Sequence, residues 1–149
     1  MILALLLAVQ APALPIAPGD RPAAATMVVE PVGAMLAGFD ADGDARTTRA
    51  EATAGIARSF TGIAGTAPTI GYIVFADWAE RWLGDRTALP GPFEVDRDGD
   101  NRIALPELQA RIAAIFGRID RDGDGVLTRA ELLTIRQGPR DGRGDRRGR

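Results

Sequence analysis

Three stretches of the chain carry four carboxylates each at one fixed spacing. Asp40, Asp42, Asp44 and Glu51 make the first, Asp96, Asp98, Asp100 and Glu107 the second, and Asp120, Asp122, Asp124 and Glu131 the third. In each, Asp stands at positions one, three and five of a twelve-residue stretch, and Glu stands at position twelve. Alternate Asp residues on a tightly curled loop converge on one point, and oxygens gathered that way suit a hard divalent cation. Ca2+ takes about six to eight oxygens at about 2.3–2.6 Å, with a bidentate Glu completing the shell. Position seven can offer its backbone carbonyl whatever its side chain, which adds Arg46, Arg102 and Val126 as candidate ligands. Position nine often acts through water. Position six must turn sharply with positive φ and favours Gly. The third stretch has Gly125 there and the second Asn101, which tolerates the left-handed region. The first has Ala45, for which that conformation costs about 1–2 kcal/mol, so it is expected to bind most weakly.

Little other chemistry is open to this composition. The chain has 149 residues with 18 basic and 20 acidic side chains; every base is Arg, His and Cys are absent, and Ser59 is the only Ser. A Ser–His or Cys–His nucleophile pair cannot be assembled, nor can a His- or Cys-ligated zinc, haem or iron–sulfur site. The segment from Arg136 to Arg149 holds six Arg against Asp141 and Asp145, which leaves 12 bases and 18 acids before it, a net of −6. An acidic body repels nucleic acid. Twelve of the 20 acids belong to the three stretches, and the others form no catalytic constellation, so no enzymatic activity is expected.

These loops need helices to hold them. Val32, Met35, Leu36 and Phe39 recur at helical spacing after Pro31, and a second helix runs from Glu51 to Phe60 until Gly62, Gly65 and Pro68 break it. Ile70 to Leu83 places Phe75, Trp78 and Trp82 on one face, read as core rather than as a partner-binding stripe. Leu105 to Ile119 is a long amphipathic helix, and Arg129 to Arg136 a shorter one. Before the second loop, Pro90-Gly91-Pro92 excludes a regular entering helix. No sustained strand alternation is present, so the expected fold class is all-α.

The three stretches closely resemble the loops of the EF-hand calcium-binding family. The third fits at every diagnostic position, including Leu127 as the apolar eighth residue and Phe116, Ile119 and Asp120 as the approach from the incoming helix. The resemblance implies a helix–loop–helix array with three calcium loops, Ca2+ as the cofactor, and a non-enzymatic role as buffer, structural module or sensor. It also implies that loops pair side by side through their eighth residues. Only residues 108 to 119 separate the second loop from the third, and one unbroken helix there holds them roughly 20 Å apart. Loop three is therefore expected to pair with loop one, or else a loop stays unpaired. A dockerin-like calcium-dependent docking module is the alternative, suggested by the missing helix before loop two.

The flanks differ from this body. Residues 1–13 resemble a secretory signal peptide, with an apolar run from Ile2 to Val9 followed by small residues, although the usual positive start is missing. Residues 14–30 read as a Pro/Ala-rich linker, 31–135 as the calcium-binding domain, and 136–149 as a disordered Arg/Gly-rich tail. The expected location is the periplasm or the exterior, or the cytoplasm if no signal operates. Expected partners are calcium ions and a protein of unknown identity, with no nucleic acid and no transmembrane segment.

Overall fold

The computed structural model describes residues 25–137. The expected leader over 1–13 lies outside them, as do the linker up to residue 24 and the tail from residue 138. In chain order the elements are β1 (Ala25–Val28), α1 (Pro31–Ala37), β2 (Arg46–Thr48), α2 (Arg49–Ala64), β3 (Thr69–Gly71) and α3 (Tyr72–Leu83). Then follow α4 (Pro92–Val95), β4 (Arg102–Ala104), α5 (Leu105–Ile119), β5 (Val126–Thr128), α6 (Arg129–Leu132) and β6 (Thr134–Gln137).

An all-α fold is not what forms. Among the described residues six helices are joined by short strand pairs, β2 with β5 and β3 with β4 in antiparallel fashion and β1 with β6, so the architecture is mixed. The strands within the loops are three residues long. A run that short cannot display the two-residue alternation by which strands are recognised. Arg129 to Arg136 is also not one helix: α6 is a single turn, and the chain continues as β6. Before loop two the Pro-rich approach does make one helical turn, α4, started by Pro92 at its first position. The second helix runs further than Phe60, through Gly62, and stops at Gly65 with φ +61°.

The strand register explains the layout. Thr47 faces Leu127, which joins loop one to loop three through their eighth residues. Ile70 faces Ile103 in the same manner, so the partner of loop two is a segment that carries no calcium-loop signature. Counting from Ile70 as position eight puts positions one, three, five and twelve at Ile63, Gly65, Ala67 and Val74, none of them acidic. Helix α2 connects loop one to this carboxylate-free segment, and α5 connects loop two to loop three. The two helices pack against each other, with one strand pair at each end of the couple. At about 1.5 Å per residue the ends are roughly 22 Å apart.

The core lies between. Leu36, Phe39, Ile56, Phe60, Phe75, Trp78, Leu108, Ile112 and Phe116 are buried, as are the strand centres Ile70, Ile103 and Leu127. The aromatic face of α3 is thus core: Trp78 is fully enclosed and stacks on Phe75, while half-buried Trp82 leans on Phe39. An enclosed indole N–H needs an acceptor, and Ser59 supplies it at 3.1 Å while passing its own hydroxyl proton to the Ile56 carbonyl at 2.8 Å. Thr47 is the polar exception among the strand centres; its buried hydroxyl donates to the Leu36 carbonyl at 3.1 Å and so closes the end of α1.

Candidate metal centres

Each loop is wound by the same hydrogen bonds. The first Asp accepts the N–H of position four through one oxygen and that of position six through the other: Gly43 and Ala45 on Asp40, Gly99 and Asn101 on Asp96, Gly123 and Gly125 on Asp120. The third and fifth residues accept the N–H two positions on, so Asp42, Asp98 and Asp122 hold the fifth residue, and Asp44, Asp100 and Asp124 hold Arg46, Arg102 and Val126. The closing Glu bridges the ring. Glu51, Glu107 and Glu131 each accept from the second residue of the loop and from the ninth, at 2.8–2.9 Å. The ninth residue is also the N-cap of the exit helix, so one carboxylate ties the start of the loop to the helix that leaves it. At α2 the arrangement is a full capping box, since the Glu51 N–H returns a bond to Thr48 Oγ1 at 3.2 Å.

The result brings positions one, three and twelve together. Carboxylate oxygens of Asp40, Asp42 and Glu51 lie within 4.8 Å of one another, and so do those of Asp96, Asp98 and Glu107 and those of Asp120, Asp122 and Glu131. Two ligands of one Ca2+ stand at most about 5 Å apart, so each group fits a single ion. The fifth-position residues Asp44, Asp100 and Asp124 do not belong to these groups. Arg46, Arg102 and Val126 open the strands β2, β4 and β5.

Position six adopts positive φ in all three loops, at +66° for Ala45, +62° for Asn101 and +82° for Gly125. Strain at Ala45 amounts to about 1–2 kcal/mol, against about 0.4–1 kcal/mol of extra unfolded-state entropy that a Gly would bring. Ala45→Gly is therefore expected to stabilise the calcium-free protein by roughly 0.5–1 kcal/mol and to tighten loop one. Urea unfolding in chelator, followed by calcium titration, checks both halves.

The closing carboxylates stay ionised to low pH. The Thr128 N–H and hydroxyl, with the Arg121 N–H, hold Glu131 down to about 2 from the ordinary 4.5. Glu51 and Glu107 are lowered by the corresponding N–H groups of Thr48 and Ala104. A depressed folded-state pKa means that the ionised carboxylate favours folding. The Glu131 contribution is therefore complete above pH 4.5, falls as pH drops and is gone below about 2. Urea midpoints of the calcium-free protein should decline through that window, and the decline should be shallower in Glu131→Gln.

Two residues that the loop pattern does not mark also touch these groups. The Tyr72 hydroxyl donates to Asp96 Oδ2 at 2.6 Å, and that bond pushes the phenol up to about 12. Arg49 Nη2 donates to Asp120 Oδ2 at 2.8 Å. Each stands one residue past the strand that faces the loop, β3 for Tyr72 and β2 for Arg49. That place becomes visible only once the strand pairing is known.

Twelve-residue carboxylate loops, each closed by a Glu that caps its exit helix, form a helix–loop–helix arrangement whose acidic groups could hold a metal ion. Residues 112–135 match the family model described as EF hand, which takes in the latter part of α5, loop three and α6. Over that segment the chain is similar to the EF-hand calcium-binding family. No curated protein matches the chain. Among the described residues no helix is long and apolar enough to cross a membrane.

Proposed function

We propose that the protein is a non-enzymatic calcium-binding module that holds three Ca2+, one in each loop. The observation that carries this reading is the threefold recurrence of one carboxylate grouping, wound by the same hydrogen bonds at three separate places. The ligands would be Asp40, Asp42, Asp44 and Glu51 with the Arg46 carbonyl; Asp96, Asp98, Asp100 and Glu107 with the Arg102 carbonyl; and Asp120, Asp122, Asp124 and Glu131 with the Val126 carbonyl. The fifth-position Asp residues would turn toward the ion on binding. A bound cation supplies charge that offsets carboxylate repulsion and links the entry of a loop to its exit helix. The functional unit is the segment 31–135, preceded by a signal peptide over 1–13 and a linker over 14–30, and followed by the Arg/Gly-rich tail. Export places it where calcium is plentiful and favours structural or buffering sites over a switch. A dockerin-like role draws less support, because loop one has an entering helix of seven residues and the loops face partners through paired strands.

Native mass spectrometry of the mature protein in Ca2+ tests the proposal and finds the true N-terminus in the same spectrum. Three bound ions are expected, with one lost in each of Glu51→Gln, Glu107→Gln and Glu131→Gln. A spectrum without bound ions would sink the calcium assignment. An N-terminus at Met1 in the exported fraction would sink the signal peptide.

A further inference from the structure

Loop three meets cations supplied by the chain itself. Arg49, the first residue of α2, is fixed at three points. Its N–H donates to the Gly125 carbonyl at 3.3 Å, its guanidinium carbon lies 4.8 Å from the centre of the Phe116 ring, and Nη2 donates to Asp120 Oδ2 at 2.8 Å. Phe116 is buried and the Asp120 carboxylate is wholly enclosed, whereas the Arg49 side chain is about half exposed. The carboxylate therefore has no solvent of its own, and the guanidinium stands between it and water. Arg46 adds a looser cation, 3.6 Å from Asp124. At the opposite end of the α2–α5 couple the corresponding place belongs to Tyr72, a neutral donor to Asp96. One first-position carboxylate is thus held by a charge and the other by a hydroxyl.

We propose that Arg49 is a built-in counter-cation for loop three, which holds Asp120 and offsets the loop's repulsion in the calcium-free protein while opposing the ion that enters. This rests on the loops being calcium sites. A consequence reverses the order that loop sequences alone suggest: loop two, faced by neutral Tyr72, fills before loop three. In the dielectric of water, a full positive charge within several ångströms of a divalent ion weakens its binding by about tenfold. A neutral hydrogen-bond donor exacts no such penalty, yet it can still orient the carboxylate.

NMR resolves the loops individually, because the N–H groups of Asn101 and Gly125 each donate to the first Asp of their own loop, at 2.9 and 3.1 Å. In a calcium titration of the full chain, the Asn101 signal should complete its shift before that of Gly125. Arg49→Gln keeps a donor and removes the charge. It should tighten loop three roughly tenfold, leave loop two unchanged, and lower the melting temperature in chelator. Arg49→Lys keeps the charge and should stay near wild type in both measurements. Arg46→Gln, which leaves the Arg49 contacts alone, should tighten loop three by a smaller factor. The proposal is overturned if loop three fills first in the wild type, or if it binds equally or more weakly in both Gln variants. A wild type in which neither signal responds to Ca2+ fails the calcium assignment itself. Melting in chelator then decides separately whether Arg49 holds Asp120, with equal melting of Arg49→Gln, Arg49→Lys and wild type counting against it.

Discussion

Millimolar Ca2+ added to the chelated protein is expected to raise its melting temperature by about 10 °C or more, with Mg2+ at the same concentration doing far less. The size follows from linkage. A site with a dissociation constant near 10⁻⁴ M, the tight end for extracellular modules, contributes about 1.4 kcal/mol at tenfold excess, and three such sites about 4 kcal/mol. For a domain of this size each 1 kcal/mol is worth about 4–8 °C. The arrangement of the loops makes those contributions add in one place. Loops one and three grip one end of the α2–α5 couple and loop two the other, so every ion tightens helices that share a single core. Mg2+ wants about six ligands in a near-ideal octahedron at about 2.0–2.1 Å and gives up its waters reluctantly. A shell of several carboxylates closed by a bidentate Glu offers the higher oxygen count that suits the larger ion. Calorimetric melts in chelator, Ca2+ and Mg2+ make the comparison, and identical curves in chelator and Ca2+ would remove the calcium reading.

The same loops show how far the residues speak for themselves. Carboxylates every second position, a turn at six and a Glu at twelve announce both the winding and the exit helix, and the structure forms each in that place. Helix α5 also runs over the span read from its apolar spacing, Leu105–Ile119. Its unbroken length is what keeps loops two and three apart and leaves loop one as the mate of loop three. The partner of loop two was not legible. The segment around Ile70 carries none of the acids that would flag it and offers only the strand, whose three residues carry no period. A twelve-residue count from Ile63 to Val74, with Ile70 at its eighth place, was the available trace. Thr47 illustrates a different limit. A polar residue at an apolar position departs from the loop pattern, but its hydroxyl closes α1 on the Leu36 carbonyl, a contact that depends on where the chain returns. Arg49 and Tyr72 belong to the same class, since a side chain that serves another loop has no signature in its own.

Gly55→Ala should destabilise the protein by about 2 kcal/mol, against the direction that helix propensity alone dictates. Gly55 lies inside α2, where an exposed Gly-to-Ala exchange gains about 1 kcal/mol. Here a Cβ would fall 2.2 Å from the Phe39 ring, with two further ring carbons at 2.4 and 2.6 Å. Phe39 is buried and packs against Trp82, with centroids 5.8 Å apart, so a displaced ring disturbs a second aromatic. Overpacking costs about 1–3 kcal/mol, and losing the burial of a Phe costs about 3–5 kcal/mol; either cost matches or exceeds the propensity gain. The consequence reaches the site, because Phe39 directly precedes Asp40. A displaced ring shifts the entry of loop one, so calcium affinity there should fall along with stability while loop two is unaffected. Trp82 supplies the signal, since its emission should change in the folded state of Gly55→Ala. Adding Phe39→Leu, which makes room for the new methyl, should recover part of the loss. A Gly55→Ala protein as stable as wild type, with unchanged Trp emission, would mean that Phe39 is not what holds α1 and α2 together ahead of loop one.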